Sequence, residues 1–209
     1  MARAKAHRDE AGTVTSGPAE RHVRADAQRN IDALLKAAME VFASAGVDAP
    51  VREIAAQAGV GIGTIYRHFP RRSDLIVAVF CREVDACAEA AAVLAAEHRP
   101  GEALARWMQR YLDFISAKRG LAAALHSGDP AYDSLPAYFQ KRLRPALKAL
   151  LGAATAAGEI RAGVEPNELL HAVASLCKSP RDGNPAHPRR MVALLMDGLR
   201  YGASLPPAL

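Results

Sequence analysis

Apolar residues recur at helical spacing along most of the chain, and glycines and prolines divide the recurrence into segments. Ile31, Leu34, Leu35, Ala38, Val41 and Phe42 share one face of a predicted helix that starts near Asp26 or Ala27 and is closed by Gly46. Val51, Ile54, Ala55 and Ala58 form a second, shorter stripe, with Arg52, Glu53 and Gln57 turned away from it. Gly59 supplies the positive-φ position that ends this helix. After a Val60-Gly61 turn, residues 62–68 predict a third helix that buries Ile62, Ile65 and Phe69. Ser73 before Asp74 reads as the N-cap of a long helix running towards His98.

The second half repeats the theme. Pro100-Gly101 separates the long helix from a segment with Leu104, Trp107, Met108, Tyr111, Leu112, Phe114 and Ile115 in phase. Gly120 and Gly128-Asp129-Pro130 bracket a short helix over residues 121–126. Residues 135–157 follow, with a kink expected at Pro145. Two last helices open at Pro166 and near Pro188. Strand-like alternation is missing, so the fold class is all-α.

That pattern divides the chain into an unstructured leader (residues 1–25), a three-helix head (26–72) and a helical body (73–209) joined to the head by one continuous helix. Residues 21–29, which run from the end of the leader into the start of the head, are a candidate binding arm, with a plain flexible tail as the alternative. The 209 residues, 50% of them hydrophobic and only 5% aromatic, suit tightly packed helices. Apolar runs stay below the roughly 20 residues of a membrane span, and the N-terminus lacks a signal-peptide core, so a cytoplasmic protein with no membrane partner is expected.

Charge and side-chain size give the head its meaning. Residues 51–72 hold four arginines against the single acid Glu53, a local excess of three positive charges in a chain whose total is +5. Two short helices, a glycine turn and this charge form the layout of a helix-turn-helix DNA reader. Gly63 and Thr64 lack bulk, so the third helix can approach a duplex closely. Thr64 can meet a thymine methyl or a phosphate, and Tyr66 and His68 carry hydrogen-bonding tips on flat bodies. Arg67, Arg71 and Arg72 lie where the groove edge should run. The competing reading is a helical hairpin whose small residues serve packing and whose arginines are merely solvated.

Residues 31–80 resemble the TetR/AcrR family of bacterial repressors. The likeness rests on the amphipathic first helix ending in Phe42-Ala43-Ser44-Ala45-Gly46, then REIAAQAGV, then GTIYRHF and a charged turn into Leu75-Ile76. The resemblance implies DNA contacts by Arg52, Thr64, Tyr66, His68 and Arg72, with Gly63 and Arg67 near the groove. The family usually has threonine or serine where Ala49-Pro50 stands, and often serine at Gly61. Two hydroxyls that touch phosphate are therefore missing, leaving the arginines a larger share of the anchoring.

The resemblance also implies that the last two helices pair with their copies in a two-fold, four-helix homodimer interface, for which Leu169, Leu170, Val173, Val192, Leu195 and Leu199 are candidates. Val192, Leu194, Leu195, Met196 and Leu199 wrap much of the last helix, more than a one-sided burial needs. A closed monomeric bundle is the alternative. Between linking helix and dimer helices an effector pocket is expected from Phe80, Val84, Trp107, Met108, Tyr111, Phe114, Leu125, His126, Tyr138, Phe139 and Cys177. Ordinary core packing explains the same spacing. The functional expectation is a dimeric repressor released from double-stranded palindromic DNA by a small molecule. The alternatives are a DNA-binding protein or activator without an effector, and a helical enzyme. Gly-rich phosphate loops, metal-ligand clusters and nucleophile elbows are missing from the sequence, so neither cofactor nor catalysis is expected. Cys81, Cys87 and Cys177 read as reduced thiols, with redox sensing as the lesser option.

Overall fold

The computed structural model describes residues 18–176 and 186–201, with side-chain surroundings from residue 28. Among these residues it contains nine α-helices and two short 3-10 turns. The chain divides after Ala33 into two units. In the first, Gln28 Nε2 donates to Asp32 Oδ1 across one helical turn at 3.1 Å.

Helix α1 spans Pro18–Ala45, eight residues earlier than the apolar stripe indicates. Proline at the first helical position, followed by alanine, glutamate and arginine, favours a helix without needing an apolar face. Gly46, at φ 79°, closes α1 by donating to the Phe42 carbonyl at 3.0 Å. Helix α2 (Val51–Ala58) has Pro50 at its N-cap. At its end Gly59 adopts φ 67°. Gly59 N–H donates to Ala56 O and Val60 N–H to Ala55 O, the paired reverse bonds of a Schellman ending.

Helix α3 (Ile62–His68) starts at Gly61, which has an extended backbone and no side-chain cap. Ile65 is buried and Phe69 half-buried, but Ile62 is 47% exposed, contrary to the predicted burial. With only seven residues, α3 needs few inward anchors, and its first residue points to water. The head from Leu34 onward closes on Leu34, Ala38, Val41, Phe42, Ile54, Ala55 and Ile65, all buried.

Helix α4 (Arg72–Glu97) is capped differently from the expectation at Ser73. Arg71 takes the N-cap position, and Asp74, three residues on, accepts its backbone N–H at 3.0 Å and its guanidinium at 2.6 Å. These hydrogen bonds to Arg71 hold the Asp74 carboxyl below its ordinary range.

In the body, α4 packs against α5 (Pro100–Lys118) and α7 (Leu135–Ala156). Between α5 and α7 lie a 3-10 turn (Arg119–Leu121), α6 (Ala122–Leu125) and a second 3-10 turn (Pro130–Tyr132). Helix α7 continues through Pro145, where the kink is expected. Both Pro145 and Lys141, whose carbonyl loses its helical partner, are exposed to water, which keeps the loss small. The turn after α7 returns to start α5. Glu159 accepts from the Gly101 N–H at 2.7 Å and pairs with Arg99 at 3.0 Å. Helix α8 (Pro166–Leu176) packs against α5 and α7, and α9 (Ala186–Tyr201) against α5 and α8. Among the described residues, no helix is long and apolar enough to cross a membrane.

Candidate nucleic-acid interface

The glycine-closed turn sets α3 with its inner residue Ile65 in the head core and the opposite face in solvent. Gly63, Tyr66, Arg67 and His68 are exposed, with Tyr66 at 51%, while Thr64 is half-buried. A Cβ added at Gly63 would meet nothing within 4 Å, and one at Gly61 only the Thr64 hydroxyl at 3.9 Å. Internal packing therefore does not require these glycines. What their smallness leaves is a flat approach surface beside a tyrosine, an arginine and a histidine. That disfavours the packing hairpin as an explanation of the motif.

On α2, Arg52 is exposed on the outer face, as expected. Gln57 Nε2 donates to Glu40 Oε2 at 2.6 Å, tying α2 to α1 on the exposed side. Neither Pro50 nor Gly61 provides a side-chain cap, consistent with the two missing hydroxyls. Sequence reasoning missed Ile62, whose apolar side chain shares the exposed start of α3 with Gly63. The only signal for it was position: a first-turn residue of so short a helix need not follow the buried stripe.

Arg72, expected at phosphate, also has a structural task in the fold. Its Nε and Nη2 donate to the carbonyls of Val47 and Ala49, and its guanidinium carbon lies 5.9 Å from the centre of the Phe42 ring. A planar donor fork satisfies two loop carbonyls that the α1–α2 turn leaves open. Arg72 thus clamps the loop before α2 onto the start of α4. Arg71 pairs with Asp74 yet keeps its side chain 73% exposed.

The residues expected around an effector are closely packed. Phe80, Val84, Trp107, Met108, Tyr111 and Phe114 are all buried. Trp107 and Tyr111 stack at 5.7 Å and 3°. Their polar tips are used internally: Trp107 Nε1 donates to the Cys87 carbonyl at 2.8 Å and the Tyr111 hydroxyl to Leu170 O at 3.3 Å. Phe80, Tyr111, Phe114 and Phe139 continue as a cluster with ring centres 6.1 to 6.2 Å apart. Leu125 and Tyr138 are half-buried, and Tyr138 donates to Asp85 at 2.7 Å, where burial and that bond push its phenol up to about 12. His126 is exposed, with Nδ1 2.8 Å from Ala122 O at the end of α6, and so belongs to the helix end and not to the aromatic cluster. Cys177 lies outside the described residues. Burial pushes the Cys87 thiol up to about 12 and raises that of Cys81, which disfavours thiolate chemistry at either.

Five of the six residues named for pairing the last helices are internal. Leu169, Leu170, Val173, Val192 and Leu199 are buried within the protomer, and Leu195 is half-buried. Each helix spends that stripe on its own core, so a partner would have to use the neighbouring one. There, Leu194 is 64% exposed, and Ala172, Leu176, Met191, Leu194 and Leu195 line an open apolar cavity of about 510 Å³.

An exposed reading helix fixed by a glycine turn, above a helical body, defines a helix-turn-helix DNA-binding protein. Residues 34–79 match the family described as bacterial regulatory proteins, tetR family, and residues 99–201 match the transcriptional regulator SbtR-like, C-terminal domain. The TetR transcriptional regulator SCO0520 from Streptomyces coelicolor is 40% identical over 85% of this chain and 99% of its own, with a TM-score of 0.72. The TetR transcription regulatory protein from Mycobacterium vanbaalenii is 36% identical over 85% and 99%, with a TM-score of 0.66. An HTH-type transcriptional regulator of Staphylococcus aureus is 38% identical over 64 residues, which are 30% of this chain and 35% of that relative's length. The chain belongs to the TetR family and is a DNA-binding transcriptional regulator.

Proposed function

We propose that the protein is a homodimeric repressor whose two heads read a palindromic operator and which a small molecule releases. The observation that carries the DNA reading is the bare face of α3, with Gly63 free of neighbours beside exposed Tyr66, Arg67 and His68. A protomer offers one such short helix, and two of them about 34–36 Å apart match successive major grooves. The apolar strip formed by Ala172, Leu176, Met191, Leu194 and Leu195 is the surface that pairs the protomers. Arg52 reads a base edge, Thr64, Tyr66 and His68 line the groove wall, and Arg67 supplies charge. Arg72 acts on DNA indirectly, by holding the head's loop.

The effector enters between α4, α5 and α7, by opening the aromatic cluster around Trp107, Tyr111 and Phe114. Ligand-bound and DNA-bound states then differ in how this core is packed, and binding shifts their populations. A second reading, a regulator without an effector, is favoured by one observation: the tips of Trp107 and Tyr111 already have backbone partners. The test is selection of genomic fragments with purified protein, followed by a small-molecule screen on the bound complex. Symmetric sites and relief by a compound support the repressor. Symmetric sites that no compound relieves support the second reading, and the absence of sequence preference contradicts both.

A further inference from the structure

The 3-10 turn Arg119–Leu121 at the end of α5 touches the head at one unusually tight point. A Cβ built on Gly120 would fall 2.1 Å from the Phe42 carbonyl oxygen, 2.5 Å from its carbon and 2.8 Å from the Ala43 Cα. All three are backbone atoms of α1's last turns, so no side-chain rotation relieves the overlap. Gly120 is not among the positive-φ glycines. Alanine would therefore be tolerated by its own backbone and refused only by the neighbour.

The turn is pinned on the body side. Leu121 is buried, and two residues before Gly120 the Lys118 ammonium lies 5.5 Å from the Phe80 ring centre and 5.8 Å from that of Phe139. Beside the contact the packing opens. A cavity of about 470 Å³ is lined by Val47, Asp48, Arg72, Ser73, Ala124 and Tyr132. Together with the Arg72 clamp, this backbone-to-backbone seat gives the head a second attachment to the body, next to free volume.

We propose that Gly120 is a positioning residue for DNA binding: the glycine seats the end of α1 on the end of α5 and so sets the angle at which the head is carried. Because Lys118 sits over the rings of the aromatic cluster, any repacking of that cluster moves the seat, and the seat moves α1. The operator readout below rests on the paired-reader function proposed above; the distance readout does not.

The experiment uses full-length protein labelled at Glu53→Cys and Lys148→Cys, both exposed positions, with the native cysteines replaced by serine and labelled chains diluted in unlabelled ones. Gly120→Ala is expected to stay folded, to shift the head-to-body distance distribution, and to weaken operator binding about tenfold. Affinity for random DNA should change much less, since the reading helix itself is untouched. Gly152→Ala, at an exposed helical glycine whose added Cβ meets nothing within 4 Å, is the control for the substitution as such and should match wild type. A folded Gly120→Ala protein with wild-type distances and operator affinity overturns the inference. If Gly120→Ala does not fold, Lys118→Met decides: a broadened distance distribution supports the seat, and an unchanged one overturns it. A wild-type protein that ignores operator symmetry would sink the paired reader, while the distances would still judge Gly120.

Discussion

Arg72 shows how one residue type can serve either of two ends. In the sequence it closes a cationic run beside the reading helix; in the fold its Nε and Nη2 donate to the Val47 and Ala49 carbonyls. Arg72→Ala should consequently lower stability by about 1–3 kcal/mol, the scale of buried acceptors losing a charged donor. Chemical denaturation measures this, and binding to specific and random DNA should fall together. Arg52→Ala should behave oppositely, leaving stability unchanged and costing roughly 1–3 kcal/mol at one operator position. Equal stability losses in the two variants would contradict the division of roles. Cys87 gives a test of burial. With its thiol pushed up to about 12, it is raised above its unfolded value, so that stability contribution is complete below pH about 8.5 and is lost as pH rises through the folded value. In a variant retaining only Cys87, a thiol-directed disulfide reagent at pH 8 should react with unfolded protein and hardly with native protein. Rapid native labelling would show the site to be open.

At the scale of elements, the glycine endings of α1 and α2 were legible because Gly46 and Gly59 stand where only a left-handed residue closes the helix. The head's inward stripe was legible for the same kind of reason: period 3.6 leaves few alternatives for Leu34, Ala38, Ile54 and Ile65. The start of α1 was not, since residues 18–25 form helix without an apolar face to advertise it. Nor was the exposure of Ile62, where seven residues are too few for a period to assign a face. The last helices show a further limit. Two apolar stripes on one helix read alike in sequence, and only packing tells that Val192 and Met196 of α9 face inward while Leu194 faces out. Leu194→Glu should therefore give a folded monomer by sedimentation, whereas Leu170→Ala should cost about 2–5 kcal/mol of stability. Dimers that persist in Leu194→Glu would move the interface elsewhere.

For the whole molecule, the site's chemistry is a matter of placement more than of reactivity. The head offers one short reading helix, the body carries the exposed apolar strip that would pair two heads, and the Gly120 seat and the Arg72 clamp tie the two regions together. The TetR relationship was readable from the run between Phe42 and Phe69, whereas the effector was not, because a closed aromatic core and a pocket share the same helical spacing. The most direct measurement is footprinting with stoichiometry on a fragment selected by the purified full-length protein. Two protomers protecting two half-sites, centred one helical turn of about 10–10.5 base pairs or a multiple of it apart, are expected. A single protomer on an asymmetric site, or equal affinity for random DNA, would contradict a paired reader.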